Sequence, residues 1–424
     1  MADAPGATWQ LTSCARFFTE TPFMSFNRLV ILMCAFLWLS LLGMHSVPAM
    51  LPLFTELWSL NYTQAGWLAG MNYLTYLFGV AYVGVTDRID ARRLLIIGAL
   101  LNVAGYGGMG LADGFWSALV FRGIQGLGFA WTYMPGIKAM SDRIPGDGKG
   151  RAAAIYVSSF AIGSGVSVWI AAEIAVAYGW QWAFVIPAIS NIFAAALLFW
   201  FLPAISVEGA SGPRKLLPDF RPVFRNRASV GYVIGSFAHN FELQGIRSWT
   251  VTFLTWAAVT QPDIPVTLNA ALAAMILILI GVPSSFVGAE FGHRIGYART
   301  SYLAMILSGV FALAVGFAVA WPIWIFVGIL VAHNLLVLVD SGTLNGGAVN
   351  TADPAQRGNT VAAFGTASAA GGLLGPVLLG YILDVTGGGQ SPESWGIAFA
   401  VLGGVILIGG VAVRVLSQPR ETNG

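Results

Sequence analysis

From Leu29 to Leu416 the sequence is a succession of apolar runs, each about as long as a bilayer is thick, separated by short polar loops. A hydrocarbon layer of roughly 30 Å takes ~20 helical residues to cross, and inside it every backbone polar group must be satisfied within the protein. Repeated runs of that length leave one architecture, a bundle of membrane-spanning helices. Composition agrees: 57% of residues are hydrophobic and 9% charged, against about 25% charged in a soluble domain. Twelve spans are expected, roughly Leu29–Phe54, Gln64–Val85, Leu94–Ala112, Phe115–Met140, Ala152–Tyr178, Trp182–Leu202, Ala228–Val259, Val266–Phe291, Thr300–Val319, Pro322–Thr343, Thr360–Val385 and Trp395–Leu416.

The longest interruption, Pro203 to Arg227, is polar and contains prolines, and it splits the chain six plus six. The expected organisation is an N-terminal tail over 1–27, a six-helix bundle over 28–203, a linker over 204–227, a second bundle over 228–417 and a tail over 418–424. No apolar core of the signal-peptide kind precedes Met24, so residues 1–23 are either a polar extension or lie upstream of the natural start. The 2 cysteines, Cys14 and Cys34, can build neither a disulfide framework nor a metal site, and no cofactor is implied.

Charge sets the orientation. Of the 21 Lys and Arg, only Arg122 and Arg247 lie deep inside spans; the other 19 lie on one side, in the tails, the linker, the loops after even-numbered spans and the span ends beside them. The opposite loops carry Trp58, Trp180, Trp321 and Trp395 near helix ends, as an interfacial belt does. The positive-inside bias places both termini in the cytoplasm and fits a bacterial inner membrane. A miscounted span would scramble this separation, so it also supports the count of twelve.

An internal repeat follows. Asp87-Arg88-Ile89-Asp90-Ala91-Arg92-Arg93 after the second span is echoed by His293-Arg294-Ile295-Gly296-Tyr297-Ala298-Arg299 after the eighth. Gly150-Arg-Ala-Ala-Ala-Ile-Tyr156 entering the fifth span has its counterpart in Gly358-Asn-Thr-Val-Ala-Ala-Phe364 entering the eleventh. Two parallel six-helix repeats joined by a linker match one known transporter architecture.

At this point the chain resembles the major facilitator superfamily from Arg28 onward. The stretch Gly84-Val-Thr-Asp87-Arg88 with Arg92 and Arg93 is similar to that family's signature between the second and third spans, although Asp90 stands where a glycine belongs. The resemblance implies a cytoplasmic latch at Asp87, Arg88, Arg92 and Arg93; a plain solvated charge run is the competing reading. Arg122-Gly-Ile-Gln-Gly126-Leu-Gly128 resembles the fourth-span signature more closely. Its glycines permit close backbone approach, and its permanently charged arginine can hold an anion or act as a buried structural group. The glycine-proline pattern linked with antiporters is degraded in the fifth span. A similar one appears instead in the eleventh, Gly371-Gly372-Leu-Leu-Gly375-Pro376-Val-Leu-Leu-Gly380. The fold class implied is an all-α integral membrane protein, twelve helices in two pseudo-two-fold-related six-helix bundles.

The residues hardest to explain in lipid fall on the first, fourth, seventh and tenth spans, which in this family line the central cavity: His45, Arg122, His239, Glu242, Arg247, His333, Asn334 and Asp340. Each charge held at bilayer depth costs on the order of 3 kcal/mol, so such groups mark a pathway or a structural pair. His239 and Glu242 share a helix face. Arg247 lies about 140° further round an unbroken helix. A kink or unwinding at Gly245 would turn both inward; otherwise one of them faces a partner helix. Glu242 and Asp340 are the proton-carrier candidates. A carboxylate alternating between a buried setting and an arginine partner would bind and release a proton. Gln244 joins the substrate candidates, and Trp38, Tyr76, Trp131, Tyr133 and Trp249 could form a stacking wall. Glu173, Glu290 and Asp384 lie near helix ends as interfacial or gate residues.

No G-x-x-x-x-G-K-[ST] loop is present, which argues against an ATP-driven pump, and nothing suggests an enzyme or a nucleic-acid partner. The expected function is alternating-access transport of a small organic anion, a carboxylate for preference, coupled to protons, by a monomer. The competing reading is a proton-coupled exporter of drug-like or cationic compounds, which pairing of Arg122 and Arg247 with acids would favour.

Overall fold

The computed structural model describes residues 24–81, 89–146, 148–205, 219–265 and 267–418. Among them it is helical throughout, with no strand. The N-terminal half holds α1 (Phe26–Leu41), α2 (Ser46–Leu57), α3 (Tyr62–Ala81), α4 (Ala91–Gly110), α5 (Phe115–Thr132), α6 (Met134–Arg143), α7 (Gly148–Tyr178) and α8 (Trp182–Phe201). A short α9 (Arg221–Arg225) leads into the other half, α10 (Arg227–Thr260), α11 (Ala270–Ile295), α12 (Tyr297–Val315), α13 (Ile323–Leu336), α14 (Val339–Thr351), α15 (Arg357–Val385) and α16 (Pro392–Leu416). These make the twelve spans, because the first, fourth and tenth are each broken into two helices: α1–α2, α5–α6 and α13–α14. Pro135 in the first turn of α6 supplies one break, since a proline has no N–H to give the carbonyl four residues back and its ring clashes with that carbonyl.

Nine stretches among the described residues are long and apolar enough to cross a membrane unaided. The three that fall short are α3, α5–α6 and α10. Of these, α5 carries Arg122 and α10 carries His239, Glu242 and Arg247. Apolarity is lost where polar groups are gathered inside the protein.

The seventh span does not unwind at Gly245: α10 runs unbroken for 34 residues. Gly245 is instead a point of close approach, where a Cβ would come within 2.8 Å of Leu402. The glycines of α15 do the same work. Gly371 and Gly375 leave room only for the carbonyls of Phe237 and Phe241 on α10, while Gly372 faces Tyr73 on α3. Small residues in such seams let helices pack closely where lipid offers no hydrophobic drive to associate. The eleventh-span glycine pattern is thereby explained by packing.

The apolar cores are distributed unevenly along the membrane normal. Toward the face opposite the termini (the far face), one cluster joins both halves and includes Phe54, Leu68 and Phe184 together with Phe241, Trp249, Phe253 and Trp395. Toward the face that bears the termini, the clusters stay within single halves, around Leu29, Phe36 and Tyr156 in one and around Tyr232, Met305 and Leu344 in the other. The halves are therefore knit together at the far face.

Asp87 and Arg88 lie outside the described residues. Arg92 reaches not across the halves but to α8, donating to the carbonyls of Leu198 (3.2 Å) and Phe199, where a cation suits the negative helix end. Arg93 is exposed. Asp90, the departure from the family signature, is the hub of this corner. It caps α4 through the Arg92 N–H (3.0 Å), pairs with Arg143 (2.9 Å) and accepts from the Ile205 N–H (3.0 Å).

Candidate functional site

The buried charges sort into two groups on opposite sides of the molecule. In the C-terminal half, α10 and the broken tenth span run antiparallel and exchange two acid–histidine pairs. His333 Nε2 stands 3.0 Å from Glu242 Oε1, and His239 Nδ1 stands 2.8 Å from Asp340 Oδ1 at an angle outside the hydrogen-bond range. Glu242 Oε1 also accepts from Ser308 Oγ on α12 (2.7 Å), whereas its Oε2 has no partner. Glu242 and His333 are fully buried, and His239 and Asp340 nearly so. The break between α13 and α14 falls between these pairs. It leaves His333 in the last turn of one helix and Asp340 in the first turn of the next, the ends at which helix dipoles favour a cation and an anion respectively.

In the N-terminal half Arg122 is held by its own half. Its side chain is 2% exposed, and its donors are spent inside that half. They go to the carbonyls of Leu68 (3.0 Å) and Ala69 (3.3 Å) on α3, to Asn72 Oδ1 (3.2 Å) and to Gln125 Oε1 (2.7 Å). It pins α5 to α3. Gly126 and Gly128 make that packing possible, because a side chain at either would collide with Asn72 or Asn102.

Arg247 differs. It has no hydrogen-bond or ion-pair partner among the described residues, its side chain is only half-buried, and it lies close enough to Tyr73 on α3 and to His45 to interact with both electrostatically. His45 sits in the α1–α2 break, 4% exposed, with Nδ1 3.3 Å from Ser167 Oγ on α7. Tyr73 and His45 of the other half thus lie within electrostatic range of Arg247. Glu242 and Arg247, on one unbroken helix, point to different neighbours and form no ion pair.

The remaining candidates scatter. Tyr76 and Tyr133 belong to an aromatic group with Phe129 and Phe160, the Tyr133 and Phe160 rings 4.4 Å apart. Trp38 bonds Ser159 (2.6 Å), and Gln244 is 8% exposed on α10. Asn334 is turned back on its own helix, to the Leu330 carbonyl (2.9 Å). Trp249 is wholly buried in the far-face core, its indole N–H on the Pro376 carbonyl (3.0 Å). Sequence reasoning missed Tyr73, Ser167 and Ser308. Tyr73 could have been found, lying three residues before Tyr76 on the same face of α3; a lone serine in an apolar helix carries no signal.

Two halves of six spans, buried charges at mid-membrane and glycine-lined seams define a polytopic membrane carrier. The chain belongs to the Major Facilitator Superfamily, whose family model matches residues 32–355, and it is a secondary transporter rather than an enzyme. It is 23% identical over 372 residues to a hexuronate transporter of Bacillus subtilis, covering 82% of this chain and 83% of that one. It is 27% identical over 163 residues to a probable 4-methylmuconolactone transporter of Cupriavidus pinatubonensis, covering 35% and 37%. The human protein spinster homolog 1 is 24% identical over 344 residues, covering 74% and 65%. Among solved structures, the nucleoside transporter NupG superposes with a TM-score of 0.76 at 16% identity, over 94% of this chain and 100% of that one. A bacterial homologue of the human lysosomal transporter spinster, inward-facing and unoccupied, superposes with a TM-score of 0.70 at 15% identity, over 94% and 96%. These structural likenesses establish the fold.

Proposed function

We propose that the chain is a proton-coupled carrier of a small organic anion, most simply a carboxylate, working by alternating access between its two bundles. One observation carries the reading: the unspent charge between the halves is positive. Among the described residues Arg247 has no hydrogen-bond or ion-pair partner, and each buried acid of the C-terminal half is matched by a histidine. A carboxylate can take the planar fork of Arg247 in two parallel bonds, with Tyr73 and His45 closing over it from the other half. The relatives described as carrying hexuronate, itself a carboxylate, and 4-methylmuconolactone support small oxygenated substrates. The competing reading, export of cations, needs an accessible acid; Glu242 is fully buried and already paired.

On this proposal Glu242 and Asp340 carry the coupling protons, with His333 and His239 as their partners. The termini are cytoplasmic, as the placement of Lys and Arg implies. The bundles divide at the linker over 204–227, the far-face closure described above supports an inward-facing state, and the carrier acts as a monomer in a bacterial inner membrane. Arg122 acts as a structural pin.

The test is a thermal-shift screen of purified protein against monocarboxylates, dicarboxylates, sugar acids, inorganic anions and organic cations, followed by liposome uptake. A ligand at about 100 times its Kd adds about 2.7 kcal/mol to stability. Carboxylates are expected to stabilise the wild type and Arg247→Lys but not Arg247→Gln. Stabilisation by cations, lost in Glu242→Gln, overturns the proposal.

A further inference from the structure

The far face is sealed by more than apolar packing. Asp384, in the last turn of α15, reaches the N-terminus of α3 in the other half. One carboxylate oxygen accepts from the Tyr62 N–H (2.9 Å), and the other from the Thr63 N–H (2.8 Å) and the Thr63 hydroxyl (2.6 Å). The first four N–H groups of a helix have no partner within it. In α3 the third of these, Gln64 N–H, is met locally by Asn61 Oδ1 (2.8 Å), while the Gln64 side chain returns to the Asn61 N–H (3.1 Å). The first two are left to the carboxylate of the opposite half.

The other seam repeats the arrangement with the halves exchanged. Glu173, near the end of α7, accepts from Asn269 Nδ2 (2.8 Å) and from Trp169 Nε1 (2.9 Å), and Asn269 is the residue that caps α11 through the Leu272 N–H (2.9 Å). In chain order α3 and α11 are the second and eighth spans, and α7 and α15 the fifth and eleventh. Each pair is equivalent under the internal repeat. In each seam a carboxylate late in one half's outward-running helix meets the start of the returning helix of the other.

We propose that these are twin clasps holding the far face shut, that both must release before the carrier opens there, and that Asp384 is the stronger. It binds two backbone donors and a hydroxyl directly from a half-buried position. Glu173 acts through a side chain, and both it and Asn269 are exposed. Charge-assisted bonds are about twice as strong as neutral ones and lose most where water competes.

The experiment uses the full-length chain with Cys14 and Cys34 replaced by serine and one cysteine introduced at Ala65. This α3 residue is fully buried in the far-face core. The maleimide labelling rate in detergent reads how often the seam opens. A second reporter at Ala139, buried in the core of the terminal face, reads general loosening. Asp384→Ala is expected to speed labelling at position 65 by roughly tenfold or more, Thr63→Val by less and Glu173→Gln by about twofold, with position 139 unchanged. Unchanged labelling at 65 in Asp384→Ala overturns the proposal. So does an equal rise at 65 and 139, which would make Asp384 a stabiliser of the fold at large.

Discussion

The Glu242–His333 pair allows a quantitative test of what holds the C-terminal half together. Glu242 is fully buried and has two partners, Ser308 Oγ at 2.7 Å and His333 Nε2 at 3.0 Å. In His333→Leu the Glu242 carboxyl keeps one hydroxyl and loses its imidazole partner. Breaking a buried pair from one side costs about 3–5 kcal/mol, because the survivor is left uncompensated. Glu242→Gln keeps the shape and gives up a hydrogen bond to a charged group, at about 1.5–3 kcal/mol. In the double variant no charge is stranded, so its loss should fall well short of the two single losses combined. A coupling of roughly 2 kcal/mol or more is expected. That threshold discriminates, since ordinary interhelical hydrogen bonds in membranes average ~0.6 kcal/mol and reach only ~1.7. The assay is a double-mutant cycle on unfolding in mixed micelles, followed by circular dichroism. Additivity within ~0.5 kcal/mol would refute the claim that the two side chains act as a pair.

Other substitutions test the frame around the site. Asp90→Ala removes a helix cap and strands Arg143, whose side chain is 7% exposed, so a loss of about 3 kcal/mol or more is expected in the same assay; in an Arg143→Met background the loss should shrink to about that of the cap, ~1 kcal/mol. Gly288→Ala drives a Cβ into the Val339 carbonyl at the start of α14 and should cost about 1–3 kcal/mol. Gly404→Ala, with open space around it, should be neutral or stabilising by up to ~1 kcal/mol. Equal effects at the two glycines would show that the α11–α14 contact is looser than described.

The spans were legible because length and apolarity are imposed by the bilayer, and they survive even in α10, where charges dilute the signal. Which polar residues mattered was partly legible too: a Glu or His inside an apolar run stands out whatever it does. Their pairing was not. Glu242 and Arg247 are five residues apart, and sequence reading naturally sets them against each other. The partner of Glu242 proved to be His333 on an antiparallel span, and only three-dimensional register could supply that. Arg122 stayed ambiguous for a related reason. A buried arginine with carbonyls and amides as partners looks, in one dimension, the same as an arginine awaiting a ligand. The difference lies in the Leu68 and Ala69 carbonyls of α3, which every residue carries and no sequence marks. Asp384 and Glu173 were recognised only as helix-end acids, because the backbone N–H groups they bind leave no trace in composition.

Charge and packing together suggest how proton binding in one half could reach the seam between halves. The acid–histidine pairs lie within the C-terminal bundle, between α10 and the broken span α13–α14, and among the described residues make no hydrogen bond or ion pair to the other half. Yet α10 is not free to move alone. Along its other flank the glycines of α15 leave no space between Gly371 and the Phe237 carbonyl, or between Gly375 and the Phe241 carbonyl. Helices packed backbone to backbone shift as one body, because closely packed interiors do not deform continuously. A change at Glu242 or Asp340 that turns α10 against α13–α14 must therefore carry α15 with it. The last turn of α15 holds Asp384, and Asp384 holds the other half.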